Sequence, residues 1–403
     1  MPNVNQNPKF PQQSVVSESD KGAAALWYAS ELGWHVFPVW WIDLHGQCAC
    51  GRPDCSSPGK HPLGTLVRQG LRDATTFAEL HRRAGEIRGL ARNLLAQGVG
   101  AEPLTRTIAA LNDALTRQAI TLVLRNHRLN DVQWCWMALG SEGRSEQTLA
   151  TDQDNAIVFA DDCDVDAVRA KLLAFANEAN ENLADLGFPL CPGEVMARNP
   201  GFCLTLGEWK AKFMGWLGAP TPEALLQANI MFDFRALYGE GKLVDALRTW
   251  LFAYTPDNAP FLRLMGRNAL EVTPPLGLVR TFATDESAEH KGTLDLKTRG
   301  TRLFVDAARA FALALAIPEP GTATRLREAG ERLGVNARHV EATVDAFHYL
   351  QLLRLRRQDM QGEHAADNRI DPETLNEIEQ RMLKEAFRQA RTLQQRLAIT
   401  LRL

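Results

Sequence analysis

The residues with the clearest chemical potential lie between Gly140 and Asn155, in the segment GSEGRSEQTLATDQDN. Apolar runs flank this segment, so the pattern predicts a buried strand on each side of it. Gly140 lets the backbone approach a ligand closely, and the hydroxyl of Ser141 can donate a hydrogen bond to a phosphate. Asp152 and Asp154 stand two residues apart at the start of the second strand, so both carboxylates project from one face. The segment is therefore suited to bind a phosphate and a divalent cation.

The pair Asp152 and Asp154 predicts a magnesium site. Mg²⁺ prefers oxygen ligands and usually keeps substrate phosphates in its shell. A third carboxylate would complete a two-metal site for in-line displacement at phosphorus. Asp233 is the best candidate, because a charge inside the apolar run 230–234 needs a partner if it is buried. The alternative is a core aspartate paired with Arg235.

The elements that must position these residues can be predicted from hydrophobic periodicity. Apolar residues from Phe77 to Leu94 recur at helical spacing, and a second helix follows Gly100. Three apolar runs predict strands, and helical segments lie between them and after them. The predicted strands are Val132–Leu139, Ala156–Phe159 and Ile230–Phe234, and the predicted helices are Val165–Leu186, Leu206–Trp216 and a last helix that starts after the cap Asp371.

The composition is that of a folded protein, and the net charge is too small to create a strong electrostatic field around the whole molecule. The chain has 403 residues, of which 45% are hydrophobic and 23% charged, with a formal net charge of -3. This charge does not favour nucleic acid as a partner. No run of about 18 apolar residues is present, so no membrane span is expected. Seven cysteines, an odd number, form a poor disulfide framework and favour a reducing, cytoplasmic location.

The segment Gly140–Phe159 resembles the nucleotidyltransferase motif of a family often linked to CBS domains. These enzymes are relatives of the uridylyltransferase that modifies the signalling protein PII, within the polymerase-β superfamily. Four later blocks are also similar to that family, as is the final helix with its paired glutamines. They read LCPG from Leu190, MARNP from Met196, FDFR from Phe232 and LDLK from Leu294. The resemblance runs from about residue 72 to the C-terminus, and no CBS module is expected in the residues given before it.

The resemblance implies an α+β fold, with a mixed-sheet nucleotidyltransferase core over residues 72–245 and a helical domain over 246–403. It implies that Gly140 and Ser141 hold a nucleoside triphosphate and that Asp152 and Asp154 bind Mg²⁺. Asp233 would match the third acidic position of the family.

Two cations are further candidate nucleotide ligands. Lys297 resembles a lysine in a block beyond the catalytic domain of PII-modifying enzymes, where it would offset triphosphate charge. The other interpretation of Lys297 is a lysine at the mouth of a helix. Arg144 either contacts phosphate or pairs with Glu146 or Asp152. Cys191 is interpreted as a packed thiol rather than a nucleophile.

The N-terminal part has a different character. Residues 1–20 are polar and predict a disordered leader. The following fragment, residues 21–71, contains GWHVFPV from Gly33 and PGKHP from Pro58, which resemble the opening of primase–polymerase domains from replication proteins. Within this fragment four residues offer three thiolates and an imidazole, enough for a tetrahedral Zn²⁺ site. These residues are Cys48, Cys50, Cys55 and His61, and the alternative is free cysteines in a glycine-rich loop.

The function predicted from these observations is transfer of a nucleoside monophosphate from a nucleoside triphosphate to an acceptor. The acceptor would be a PII-like protein or a small molecule. Two other hypotheses are a non-catalytic nucleotide sensor in signal transduction and a fragment of a replication primase–polymerase. The last is disfavoured, because no acidic strand motif lies between His61 and Leu90.

Overall fold

The computed structural model describes residues 63–218, 221–277, 282–361 and 367–403. The chain divides between residues 66 and 67, and residues 67–403 form one compact unit. The predicted N-terminal leader and the four zinc candidates lie outside the described residues. The primase–polymerase-like fragment also lies outside them, except for its last residues, 63–71. No helix in the described ranges is both long and apolar enough to cross a bilayer.

Thirteen α-helices and six strands are described in these ranges. The helices are α1 (Leu63–Arg72), α2 (Phe77–Ala96), α3 (Ala101–Val123), α4 (Gly140–Gly143), α5 (Val165–Asp185), α6 (Leu206–Gly218), α7 (Pro222–Met231), α8 (Gly241–Tyr254), α9 (Ala259–Glu271), α10 (Arg302–Ala314), α11 (Thr322–Arg332), α12 (Ala337–Gln361) and α13 (Glu377–Leu401). The strands are β1 (Trp134–Ala138), β2 (Asn155–Phe159), β3 (Cys203–Thr205), β4 (Arg235–Gly239), β5 (Leu294–Asp295) and β6 (Arg369–Ile370).

A four-stranded mixed sheet forms the centre of the first half, in the order β3-β2-β1-β4. β1 pairs antiparallel with both β2 and β4, whereas β2 and β3 run parallel. Every residue of β1 and β2 is buried, as expected for central strands covered on both faces. β5 and β6 form a separate antiparallel pair within the helical second half. The predicted α+β fold, with a mixed sheet followed by a helical region, is confirmed.

The helices before the sheet are specified locally by their caps and periodicity. Thr76 and Glu79 form a capping box at the start of α2, which satisfies backbone N–H groups that the helix leaves free. The buried face of α2 repeats at three- and four-residue spacing from Leu80 to Leu95. α2 packs along α3. Of these two helices, α3 also contacts β4 of the sheet.

One hydrophobic core joins the sheet to the C-terminal helices. It includes Met137 of β1 and Val158 of β2 together with Phe304 of α10, Phe347 of α12 and Phe387 of α13, all nearly inaccessible to solvent. Because these side chains share one apolar interior, the sheet and the helices of the second half form one packed body. Their relative position is therefore fixed by packing.

Two element predictions are wrong. The apolar run 230–234 is not a strand, because its first two residues end α7 and the next three turn into β4. The last helix does not start after Asp371. That residue caps a short 3-10 turn, its carboxylate accepting from Glu373 N at 2.9 Å, and α13 starts after its own cap, Asn376.

Candidate active site

The two halves of the predicted motif meet at one end of the sheet. β1 ends at Ala138 directly opposite Asn155, the first residue of β2. The chain between them makes the single helical turn α4 and a loop that returns to Asp154. Gly140 adopts a left-handed φ of +53°, and a Cβ there would lie 3.0 Å from Asp154 Oδ2. A glycine at this position therefore allows the backbone to approach the carboxylate closely.

Asp152, Asp154 and Cys191 bring their side-chain ligand atoms within 4.8 Å of one another. Burial and the negative charge of Asp152 raise the pKa of Asp154 to about 6. Two carboxylates held this close repel each other, and a divalent cation between them would relieve that repulsion. Their hard oxygens fit Mg²⁺ as partial ligands, with the remaining positions left for water and substrate phosphates.

The thiol in this group was not predicted to lie at the site. Cys191 is buried, and burial raises the pKa of its thiol. It is therefore a neutral thiol rather than a thiolate nucleophile at neutral pH. The prediction of a packed thiol agrees with this burial, but the position of that thiol beside Asp152 and Asp154 comes only from the fold.

A buried amide network fixes the direction of the two carboxylates. Gln153, between them in sequence, donates to Asn180 O at 2.9 Å and to Phe188 O at 2.8 Å. Asn180 donates to Gln153 Oε1 at 2.7 Å and to Asn155 Oδ1 at 3.0 Å. Because Gln153 is anchored in the interior, its neighbours on either side turn away from it. Sequence reasoning missed this role, although the alternation of acid and amide in Asp-Gln-Asp-Asn was a signal for it.

A cavity of about 360 Å³, here called the central cavity, lies next to the acidic pair. Its lining includes four of the predicted site residues, Ser141, Arg144, Asp152 and Lys297. They come from two distant parts of the chain, the loop after β1 and the turn before α10. The structure therefore brings together the predicted nucleotide-binding residues of both halves.

Lys297 lies in a turn before a helix, as one interpretation expected, and its side chain also lines the central cavity. It lies in the turn that leads into α10, where Asp295 Oδ1 accepts from the backbone N–H groups of Lys297 at 2.8 Å and Thr298 at 3.0 Å. Its side chain is exposed to the central cavity, and its positive charge acts on Asp154 to lower the pKa of that carboxyl. A lysine in the turn before a helix can thus also face the acidic pair.

Asp233 does not join Asp152 and Asp154 in this structure. It is fully buried, and its Oδ2 accepts from Arg144 at 2.7 Å and from Arg309 at 2.6 Å. Its Oδ1 accepts from Arg325 at 2.5 Å. We call these four residues the aspartate–arginine cluster. Both carboxylate oxygens are thus engaged by arginines, and the partner is not the adjacent Arg235.

The electrostatics of this cluster follow from its geometry. Burial alone would raise the pKa of Asp233, but the charges of Arg309, Arg325 and Arg144 outweigh burial and hold it well below its usual range. Asp233 is therefore ionised at all ordinary pH values. Arg235, the partner expected from sequence, instead forms a bidentate ion pair with Asp113, at 2.8 and 2.6 Å.

Arg144 pairs with carboxylates rather than standing free. Its Nε donates to Glu146 at 2.8 Å, and its Nη1 donates to Asp233. Glu146 in turn accepts from the backbone N–H of Thr322 at 2.6 Å and from its hydroxyl at 3.0 Å. Arg144 therefore links the motif to the start of α11 while still lining the central cavity.

Comparison with protein-family models gives two matches. The model described as "Putative nucleotidyltransferase DUF294" matches residues 85–223, and the model described as "Putative nucleotidyltransferase substrate binding domain" matches residues 259–401. A comparison with curated proteins found no match. The central cavity is lined from both matched segments. Since the two models together cover well over half of the sequence, the chain belongs to this family of nucleotidyltransferases.

Proposed function

We propose that the protein transfers a nucleoside monophosphate from a nucleoside triphosphate to an acceptor hydroxyl, with Mg²⁺ held by Asp152 and Asp154. One observation carries this proposal. The two carboxylates converge beside a cavity that also presents the hydroxyl of Ser141 and the ammonium group of Lys297. This combination is suited to a metal-bound polyphosphate, since it supplies acidic oxygens for a cation and a nearby positive charge for the phosphates.

In this reaction an acceptor oxygen forms a bond to the α-phosphorus, and the bond from that phosphorus to the bridging oxygen breaks. Pyrophosphate leaves, and the acceptor loses its proton to solvent or to a nearby base. Bound Mg²⁺ would supply neutralisation of the charge that develops on the phosphate oxygens. The contribution of the chain is to hold the triphosphate and the acceptor in line, which removes much of the entropic part of the barrier.

Several residues support this positioning role. Gly140 allows the backbone to lie close to Asp154. Lys297 supplies a positive charge that favours the ionised form of Asp154. We propose that Asp233 acts through Arg144 by fixing its position, because its oxygens are taken by arginines. For the acceptor we propose a PII-like protein or a small molecule. The matched description of residues 259–401 as a substrate binding domain supports an acceptor contact with the helical half.

Labelled nucleotides test the reaction type. The protein is incubated with Mg²⁺, candidate acceptors that include PII-like proteins, and each of the four triphosphates labelled at either the α- or the γ-phosphorus. We expect one triphosphate to leave its α-label on an acceptor, to release its γ-label as pyrophosphate, and to do neither when EDTA is present. Transfer of the γ-label would show phosphoryl transfer instead.

The same samples separate the enzyme from a nucleotide sensor. Calorimetry that shows Mg²⁺-dependent triphosphate binding, without label transfer to any acceptor and without pyrophosphate release, would contradict the proposed reaction and favour the sensor. Template-dependent synthesis of a polynucleotide would favour the replication hypothesis.

A further inference from the structure

The positive charges around the central cavity are unequally neutralised. Five cationic side chains line it, and three of them form ion pairs with carboxylates. Arg144 pairs with Glu146 at 2.8 Å, Arg309 with Asp233 at 2.6 Å, and Arg302 with Asp306 at 2.9 Å. The other two are Lys297 and Arg354, and neither has a carboxylate oxygen within 4.0 Å among the described residues.

Arg354 is the more unusual of the two, because it is only 8% exposed. Its hydrogen bonds in the described part of the chain go to neutral groups only. Nε donates to Asn368 Oδ1 at 2.9 Å, and Nη1 donates to Gln351 Oε1 at 2.8 Å and Thr301 Oγ1 at 3.4 Å. Nη2 has no acceptor among the described residues. The guanidinium is thus fixed in position while part of its donor capacity is unused.

A buried cation with no carboxylate in direct contact is costly for the folded protein, and only the more distant charges of Asp295 and Glu146 favour the charged form of Arg354. Removing a charge from water carries a penalty of several kcal/mol unless an anion offsets it. Burial lowers the pKa of Arg354 to about 10, which still leaves it protonated at neutral pH. Arg354 is therefore charged and has no adjacent carboxylate among the described residues, and a bound anion would supply an adjacent negative charge.

The surroundings of Arg354 indicate which anion fits. Lys297 lies in the same cavity, one short turn before Thr301, whose hydroxyl contacts Arg354. Two cations of this kind favour a group with more than one negative charge, and the planar guanidinium matches phosphate oxygens geometrically. Asp152 lines the cavity as well, so a phosphate between the two cations would lie in the same space as the acidic pair.

We propose that Arg354 and Lys297 form a phosphate subsite on the helical side of the central cavity. The phosphate belongs either to the tail of the nucleoside triphosphate or to a phosphorylated acceptor. The identity of the substrate rests on the proposed nucleotidyl transfer, whereas the subsite itself rests on the contacts of Arg354. Arg354 then binds a substrate phosphate, and Gln351, Thr301 and Asn368 position it.

Calorimetric titration with tripolyphosphate in EDTA tests the subsite without metal or turnover. We expect Arg354→Gln to bind tripolyphosphate about 10- to 100-fold more weakly than the wild type, as loss of a hydrogen bond to a charged group implies. Lys297→Gln, at an exposed position, should weaken binding in the same direction. The matched control is Arg302→Gln, which removes a cation from the same cavity that is already paired with Asp306 and should change affinity less than about threefold.

A purely structural role for Arg354 gives a different result. In that case Arg354→Gln would lower the melting temperature and leave tripolyphosphate affinity unchanged, and Arg354→Lys would behave like Arg354→Gln. Our proposal expects Arg354→Lys to bind tripolyphosphate more tightly than Arg354→Gln but more weakly than the wild type, because lysine keeps the charge and loses the planar geometry. Equal affinity of the wild type, Lys297→Gln and a folded Arg354 variant, or no binding to the wild type at millimolar tripolyphosphate, would overturn it.

Orthophosphate distinguishes the two sources of the phosphate. If a non-hydrolysable triphosphate with Mg²⁺ displaces orthophosphate from the wild type, the subsite takes the triphosphate tail. If orthophosphate still binds beside the nucleotide, and does so only when Arg354 is present, the subsite takes the acceptor. If label transfer is normal and tripolyphosphate binding does not depend on Arg354, only the phosphate subsite is rejected. If tripolyphosphate binding depends on Arg354 and no label is transferred, only the proposed reaction is rejected.

Discussion

Replacing Asp233 by asparagine should lower the free energy of unfolding by about 3–5 kcal/mol, the range found when one partner of a buried ion pair is removed. The side chain is fully buried, and three arginines converge on it at 2.5–2.7 Å. Asparagine has nearly the same size, so the loss comes from the charge and not from a cavity. Urea denaturation followed by circular dichroism measures it.

Two controls separate this effect from general damage. Asp162→Asn removes a carboxylate from an exposed position and should change stability by less than about 0.5 kcal/mol. Combining Asp233→Asn with Arg325→Met should recover part of the loss, because one uncompensated cation is removed with its carboxylate. A single Asp233→Asn variant as stable as the wild type would show that the aspartate–arginine cluster does not hold the fold together.

The pH dependence of stability shows independently whether the ionised form of Asp233 stabilises the folded protein. The pKa of Asp233 is lower in the folded protein than in the unfolded chain. Its contribution is therefore complete above the unfolded value of about 4 and is lost only as the pH falls further. The difference in free energy of unfolding between the wild type and Asp233→Asn should accordingly be largest near neutral pH and should become smaller in acid.

Replacing Asp152 or Asp154 by asparagine should lower the rate of nucleotide transfer by about a thousandfold, and the double variant should lose it altogether. An amide keeps the shape but removes a negative charge from the metal site, and metal neutralisation contributes several kcal/mol to such reactions at about 1.4 kcal/mol per factor of ten. The measurement is the initial rate of α-label transfer at saturating triphosphate and Mg²⁺.

The stability of these variants serves as their control. Burial and Asp152 both disfavour the charge on Asp154, so Asp154→Asn should keep or raise the melting temperature while activity falls. Asp162→Asn should retain wild-type rates. Transfer rates within threefold of the wild type in the double variant would remove Asp152 and Asp154 from the reaction.

The parts of the fold that could be predicted are those with strong local signals. The helical periodicity of 77–94, and the short fully apolar runs that became β1 and β2, are determined by residues close in sequence. The run 230–234 failed because a short buried apolar run fits a strand or the end of a buried helix equally well. Thr221 followed by Pro222 is an N-cap signal that would have favoured the helix.

The candidate site also has a part that could be predicted from sequence and a part that could not. The spacing of Asp152 and Asp154 predicted that their carboxylates lie together, and their ligand atoms lie within 4.8 Å of each other and of Cys191, although both residues precede β2. The partners of Asp233 could not be predicted, because Arg309 and Arg325 lie 76 and 92 residues further along the chain. Arg354 carried no local motif, and only the packing of α12 against the turn before α10 shows that it faces the cavity.

A structure of the protein with Mn²⁺ and a non-hydrolysable triphosphate tests the metal site most directly. We predict an anomalous scattering peak about 2.0–2.3 Å from a carboxylate oxygen of both Asp152 and Asp154, with triphosphate oxygens completing the shell. A triphosphate bound elsewhere, with both carboxylates directed away from a metal-free cavity, would contradict the account.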